Sequence, residues 1–113
     1  MFERVGANLE QYMTLLTARQ KLVASNIANV DTPGYHTTDI VDFQSEYENV
    51  RNGLKAHGTE VSGLRAKSDD NNVSLEREVR LLSENAIRFQ LASQLARGEV
   101  RGLRSAIQDG KSA

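Results

Sequence analysis

The stretch Ser25-Asn26-Ile27-Ala28-Asn29-Val30-Asp31-Thr32-Pro33-Gly34-Tyr35 decides how this chain folds. Thr32 precedes the single proline, and a residue in that position is pushed from the α region toward extended geometry. Pro33 presets φ for the first central position of a turn, and Gly34 supplies the positive φ that a type II turn needs at the second. A helix entering from the N-terminal side is therefore predicted to stop near Val30, turn sharply and leave as extended chain at Tyr35. Asn26 and Asn29 fall in the last turn of that helix. Their amides are long enough to reach its orphan carbonyls or a neighbouring helix.

Upstream, residues 1–30 carry apolar side chains at helical three- and four-residue spacing: Phe2, Val5, Leu9, Tyr12, Leu16, Val23 and Val30. Arg19 and Asn26 stand where the stripe lacks an apolar residue, and Met13, Leu15 and Leu22 widen it. Downstream, residues 31–72 lose the period. Gly53, Gly58 and Gly63 recur among Ser, Asn, Asp and Thr, which marks turns and a polar, partly flexible middle. Within it, Asp39 to Phe43 fits a short extended piece, Phe43, Tyr47 and Val50 fit a short helix, and His57 to Leu64 fits a small hairpin. From Ser74, a good N-cap followed by Glu76 and Glu78 at the positive end of a helix dipole, the stripe resumes in residues 73–113. It runs Leu75, Val79, Leu82, Ala86, Phe89, Ser93, Ala96, Val100, Leu103 and Ile107. Glu76 with Arg80 and Glu84 with Arg88 are i,i+4 pairs in the favourable order. The fold class is mainly α: two long antiparallel, coiled-coil-like helices joined by the middle segment.

The 113 residues suffice for one small domain. With 39% hydrophobic and 5% aromatic residues the chain is short of large side chains for a core. A two-helix hairpin leaves one flank of each stripe uncovered. The helices are therefore expected to complete their packing against other copies or other proteins. A net charge of -1 provides no basic excess for nucleic acid. No run approaches the roughly 18 apolar residues of a membrane span, and no apolar core of a Sec signal follows Met1. Without cysteine there is no disulfide, thiolate metal site or cysteine nucleophile.

His36 and His57 lack the spacing of a metal pair and read as solvated. The carboxylate pairs Asp39/Asp42 and Asp69/Asp70 have no cleft to tune them. No catalytic residue, metal site or cofactor is expected. Gly98 and Gly102 either fray the last helix or admit a close neighbour in an assembly.

The stretch from Ser25 to Tyr35 resembles the signature of the rod, hook and hook-associated axial proteins of the bacterial flagellum. The continuation Gly34-Tyr35-His36-Thr37-Thr38-Asp39-Ile40-Val41-Asp42-Phe43 is similar to that of the proximal-rod branch, with one extra residue before Phe43. Asn72 to Glu78, Glu84 to Gln90, Gly102-Leu103 and Ile107-Gln108 resemble the family's C-terminal helix. A sister rod group interrupts the Thr-Pro-Gly-Tyr turn, which is intact here. The resemblance implies a subunit of the rod, the hollow drive shaft that crosses the periplasm and transmits torque, exported by the flagellar type III apparatus without a cleaved signal. It implies partners among other rod proteins, the adaptor at the rod base and the membrane ring below. It assigns Asn26, Asn29, Thr32, Pro33, Gly34, Tyr35, Asp39 and Phe43 to the assembly and turn motif. Val5, Leu9, Tyr12, Leu16, Val23, Leu75, Val79, Leu82, Phe89, Val100, Leu103 and Ile107 fall to helix packing. The other reading of the same stripes is a free-standing, homo-oligomeric helical adaptor unrelated to the flagellum.

Overall fold

Two helices of unequal length carry the computed structural model, which describes residues 2–112 with the side chains of residues 2, 3, 99, 100, 103, 111 and 112 excepted. Helix α1 spans Phe2–Ala28. Strand β1 (Thr38–Asp39), helix α2 (Phe43–Arg51) and strand β2 (Thr59–Glu60) follow, and helix α3 spans Leu75–Ser112. Asn26 meets Glu78 while Leu16 meets Asn85, so α1 and α3 run antiparallel. The molecule is an elongated body of 72 × 25 × 18 Å.

The chain stops α1 two residues before the predicted point, at Ala28. The turn itself is as expected. Gly34 has φ +76°, the value a type II turn requires at its second central position, and the Tyr35 N–H donates to the Thr32 carbonyl at 3.2 Å. At the far end of the middle segment, the Ser74 hydroxyl accepts from the Arg77 N–H at 3.3 Å. That is the N-cap geometry the sequence predicts for α3.

The seam between the long helices is narrow. Leu15, Leu16 and Val23 of α1 and Leu81 and Ala92 of α3 are buried, with Ile40 and Val73 closing one end. On α1 the predicted stripe faces inward only in part: Leu16 and Val23 are buried, Leu9 and Tyr12 half-buried and Val5 exposed. On α3 the buried line is Glu78, Leu81, Asn85 and Ala92, a fraction of a turn away from the predicted one. Leu82 is half-buried, while Leu75, Val79, Phe89 and Ile107 are exposed and lie outside the intrachain seam. The side chains of Val100 and Leu103 lie outside the described residues. The reason is that α3 is apolar on more than one side. Period alone does not select the inward face, and the polar side chains of Glu78 and Asn85 do. Among the described residues the surface ion pair on this helix is Arg80 with Glu84 at 4.0 Å, in place of the two pairs the spacing suggests, and such a pair contributes little.

The middle segment is polar as predicted and more ordered than its composition suggests. Of the extended piece expected at residues 39–43 only Asp39 lies in a strand, β1, and Phe43 instead begins α2, the short helix that Phe43, Tyr47 and Val50 predict. β1 pairs antiparallel with β2, Thr38 opposite Glu60 and Asp39 opposite Thr59. The strand at Thr59 thus pairs back to the turn region, where the sequence suggested a local hairpin. Asp42 precedes α2 with φ 56° and caps it through Ser45. α2 lies on α1 through Phe43 and Tyr12, whose rings meet edge-on at 6.0 Å. Gly58 lets the strand approach α1 closely, since a Cβ there would stand 3.0 Å from Leu22.

Candidate functional site: a polar lock at the turn

Arg19 and Asn26 interrupt the apolar stripe of α1, and the lock is built on them. Asp39, carried back over α1 by the turn, is buried beneath Arg19. The Arg19 guanidinium grips it bidentately, Nε to Oδ1 at 2.9 Å and Nη2 to Oδ2 at 3.0 Å. From α3, Arg77 donates Nη2 to the same Oδ2 at 2.6 Å and Nη1 to Glu78 Oε1 at 2.7 Å. Asn26 Nδ2 closes the cluster by donating to Glu78 Oε2 at 3.1 Å. Two guanidinium charges thus face two carboxylates, so the cluster is neutral while drawn from α1, β1 and α3.

Asn26 is fully buried and also acts as a backbone surrogate. Its Nδ2 donates to the Thr38 carbonyl at 2.8 Å, and its Oδ1 accepts from the Thr38 N–H at 3.1 Å and the Tyr35 hydroxyl at 2.9 Å. The side chain therefore pairs with β1 much as a neighbouring strand would. Asn71 does the same for the turn. It donates to the Asn29 and Thr32 carbonyls at 2.8 and 2.7 Å and accepts from the Val73 N–H at 2.9 Å. Asn72 Oδ1 accepts from the Thr37 N–H at 2.6 Å, and the Gly34 N–H donates to the Asp69 carbonyl at 2.9 Å. The Ser25, Asn26 and Ile27 carbonyls at the end of α1 accept from the Asn29 and Val30 N–H groups nearby, and the Asn29, Val30 and Thr32 carbonyls just beyond also accept from Asn71 and Lys67, more than thirty positions away.

Burial pushes the Asp39 carboxyl up. The Arg19 hydrogen bonds and charge, then Arg77 and the Ile40 N–H, outweigh that and hold it below its ordinary value of 3.8. Each of its oxygens already accepts two hydrogen bonds. Such a carboxylate is ionised and saturated, a poor general base and a good anchor. What the cluster can do is mechanical: it fixes α1, α3 and the outgoing chain at one register.

The motif residues separate into three groups. Asn26, Tyr35 and Asp39 meet in the lock, and Phe43 joins α2 to α1 instead. Asn29 reaches back to the Ser25 carbonyl at 2.8 Å and receives the Thr32 hydroxyl at 3.0 Å. Thr32, Pro33 and Gly34 form the exposed tip. Sequence reasoning missed Arg77, Asn71 and Asn72, and it placed Glu78 at the helix dipole when its side chain is fully buried. The one local signal was the pair of gaps in the α1 stripe.

His36 stays open to solvent, as the sequence reading expects, and is bridged as well. Nε2 lies 3.1 Å from Asp70 Oδ2 and Nδ1 3.5 Å from Glu60 Oε2. The hydrogen bond to Asp70, then that to Glu60, raises its pKa above 6.5. A group raised on folding contributes stability that is complete below its unfolded pKa and disappears as pH rises through the folded one. The melting temperature of the wild type should therefore fall across that window, and His36→Gln should flatten the fall.

The family described as "Flagella basal body rod protein" matches residues 13–36, which run from the middle of α1 through the turn. Flagellar basal body rod protein FlgB of Escherichia coli (strain K12) is 29% identical over 140 residues, covering 97% of this chain and 99% of that protein. FlgB of Yersinia enterocolitica is 28% identical over 126 residues, covering 89% and 91%. FlgB of Bacillus subtilis (strain 168) is 26% identical over 128 residues, covering 98% of each. The similarity to FlgB spans nearly the whole chain, and the family match includes Arg19, Asn26 and the Pro33-Gly34 turn. In sequence over nearly its full length, the chain is similar to the FlgB proteins of the flagellar basal body rod, and its mainly helical build is consistent with that likeness.

Proposed function

We infer that this chain is a structural subunit of the flagellar basal body rod. The observation that carries the reading is a division of labour in the structure. The relative position of the long helices is set by a saturated polar lock, and large apolar side chains of α3 are left uncovered. A molecule of this kind is shaped to be packed against neighbours. Stacked with other rod proteins around a hollow axis, the paired helices transmit torque as rigid struts. Asn26, Asn29, the Thr32 to Tyr35 turn, Asp39 and Phe43 set the angle at which the outer chain leaves them. In this reading Leu75, Val79, Phe89 and Ile107 pack between subunits. The subunit meets the adaptor at the rod base and the membrane ring below, and reaches the periplasmic rod through the flagellar export apparatus.

The turn provides the test. Gly34 holds a positive φ that alanine adopts only with strain, so Pro33→Ala with Gly34→Ala misdirects the outgoing chain. In a deletion strain, wild-type chain should restore swimming and co-purify with basal bodies. The double variant should be exported, absent from basal bodies and unable to restore swimming. Full motility with the double variant seated in basal bodies would overturn the role of the turn. Absence of the wild-type chain from basal bodies would overturn the rod assignment.

A further inference from the structure

Residues 43–57 leave the two-helix body and return to it through a narrow neck. β1 and β2 pair at its base, Thr38 opposite Glu60 and Asp39 opposite Thr59. The neck is held firmly: Asp39 belongs to the lock, Ile40 is buried, and Gly58 lies against Leu22. Above it the packing loosens. α2 contributes no buried residue, and Asp42, where the excursion starts, holds a left-handed φ of 56°.

The polar groups of the excursion are served from within it. Glu46 Oε2 accepts from the His57 N–H at 2.6 Å and from Asn49 Nδ2 at 3.3 Å, and the Leu54 N–H donates to the Asn49 carbonyl at 2.8 Å. Among the described residues a single hydrogen bond joins residues 43–57 to α1, from the Tyr47 hydroxyl to the Asn8 carbonyl at 3.4 Å. Phe43 meets Tyr12 edge-on. Clefts stay open between the two helices. Phe43 and Tyr47 face Val5, Leu9 and Tyr12 across one, and Val50 faces Thr14 and Ala18 across another. An element with few buried contacts and few bonds to its support is among the first parts of a fold to open. Opening here leaves the lock intact, because the neck and not α2 is tied to it.

Resting on the rod-subunit reading, we propose that residues 43–57 are an autoinhibitory flap: in the free subunit α2 masks the apolar flank of α1 at Val5, Leu9 and Tyr12, and it lifts from that flank when the subunit is built in. The neck is the hinge and Asp42 its pivot. The flap thus keeps a free subunit from associating through α1 before it reaches its place.

Amide exchange of the free chain is the first reading. α2 should exchange by local opening while α1 and α3 around the lock stay protected, since a nine-residue helix does not persist off its support. Protection of α2 equal to that of the lock would overturn the proposal. Phe43→Ala with Tyr47→Ala loosens the flap. The purified variant should self-associate at a roughly tenfold lower concentration than wild type, the factor that covering one medium apolar side chain is worth. Asn8 and Gln44 are exposed and line the same cleft, and the chain has no cysteine of its own. Adding Asn8→Cys and Gln44→Cys to the loosened variant and joining them with a short bis-maleimide should restore the wild-type concentration. An unchanged concentration in the loosened variant, a lowered one that the clamp does not restore, or collapse of α1 and α3 would each overturn the flap. The same cysteine pair in an otherwise wild-type chain should be bridged in the free subunit and no longer in purified basal bodies. Chain present there and still bridged sinks the flap alone, whereas wild-type chain absent from basal bodies sinks the rod reading.

Discussion

Replacing Asp39 with Asn should lower the unfolding free energy by about 3–5 kcal/mol, the usual cost of breaking one side of a buried ion pair. The carboxylate is buried and is the shared counter-ion of Arg19 and Arg77. Without it Arg77 retains Glu78, but Arg19 keeps its charge beneath the turn with no carboxylate against it in the lock. Denaturant unfolding gives the number. Acid titration gives a second readout. A carboxyl whose folded pKa lies below its unfolded value contributes stability that is present above the unfolded value and lost as pH falls through the folded one. Wild type should therefore weaken as pH drops below 3.8, and Asp39→Asn should lose that part of the acid limb. Replacing Arg19 and Asp39 together by apolar residues should recover much of the loss, because the desolvation penalty leaves with the pair.

The second large effect separates two asparagines that look alike in the sequence. Asn26→Ala should cost about 2–5 kcal/mol, because it strands several buried groups at once. They are the Thr38 N–H and carbonyl, the Tyr35 hydroxyl and Glu78 Oε2. Asn29→Ala should cost roughly 1 kcal/mol or less, the net worth of an ordinary hydrogen bond. Its side chain serves only its own helix carbonyl and the Thr32 hydroxyl. Asn26→Asp is the sharper variant. It keeps the shape and places a carboxylate against Glu78, where like charge replaces a hydrogen bond. Equal losses for Asn26→Ala and Asn29→Ala would mean that the lock is not where the stability lies.

How far the sequence alone reaches can be judged residue by residue. Thr32, Pro33 and Gly34 were legible because proline and glycine restrict local geometry whatever surrounds them. The helices were legible from their period, and Arg19 and Asn26 showed as gaps in it. What those gaps held was not legible. Their partners Asp39, Arg77 and Glu78 are brought near only when the chain doubles back. Asn71 was hidden more deeply. It sits in a polar run typical of loops, and the carbonyls it serves lie 42 and 39 positions upstream. The face of α3 was misjudged for a different reason. A helix with apolar residues on several sides has no single preferred stripe, and buried polar partners decide its rotation. His36 belongs with these: nothing beside it in the sequence indicates Glu60 or Asp70.

A related consequence concerns specificity. A seam held by Leu15, Leu16, Val23, Leu81 and Ala92 alone could slide by a turn with little loss, since aliphatic side chains are interchangeable across such a contact. The lock forbids that, because one register alone pairs Arg77 with Asp39 and Asn26 with Glu78. Polar groups thus set the geometry of the monomer and apolar groups are left over for its neighbours, the reverse of an ordinary globular core.

The most direct test of that division is the thiol reactivity of Leu91→Cys and Leu95→Cys, measured on the free chain and again in purified basal bodies. If α3 presents an uncovered face that its neighbours close, both thiols react at the rate of an exposed cysteine in the free chain and are strongly protected in basal bodies. Thiols already protected in the dilute monomer, or still fully reactive once the subunit is assembled, would contradict it.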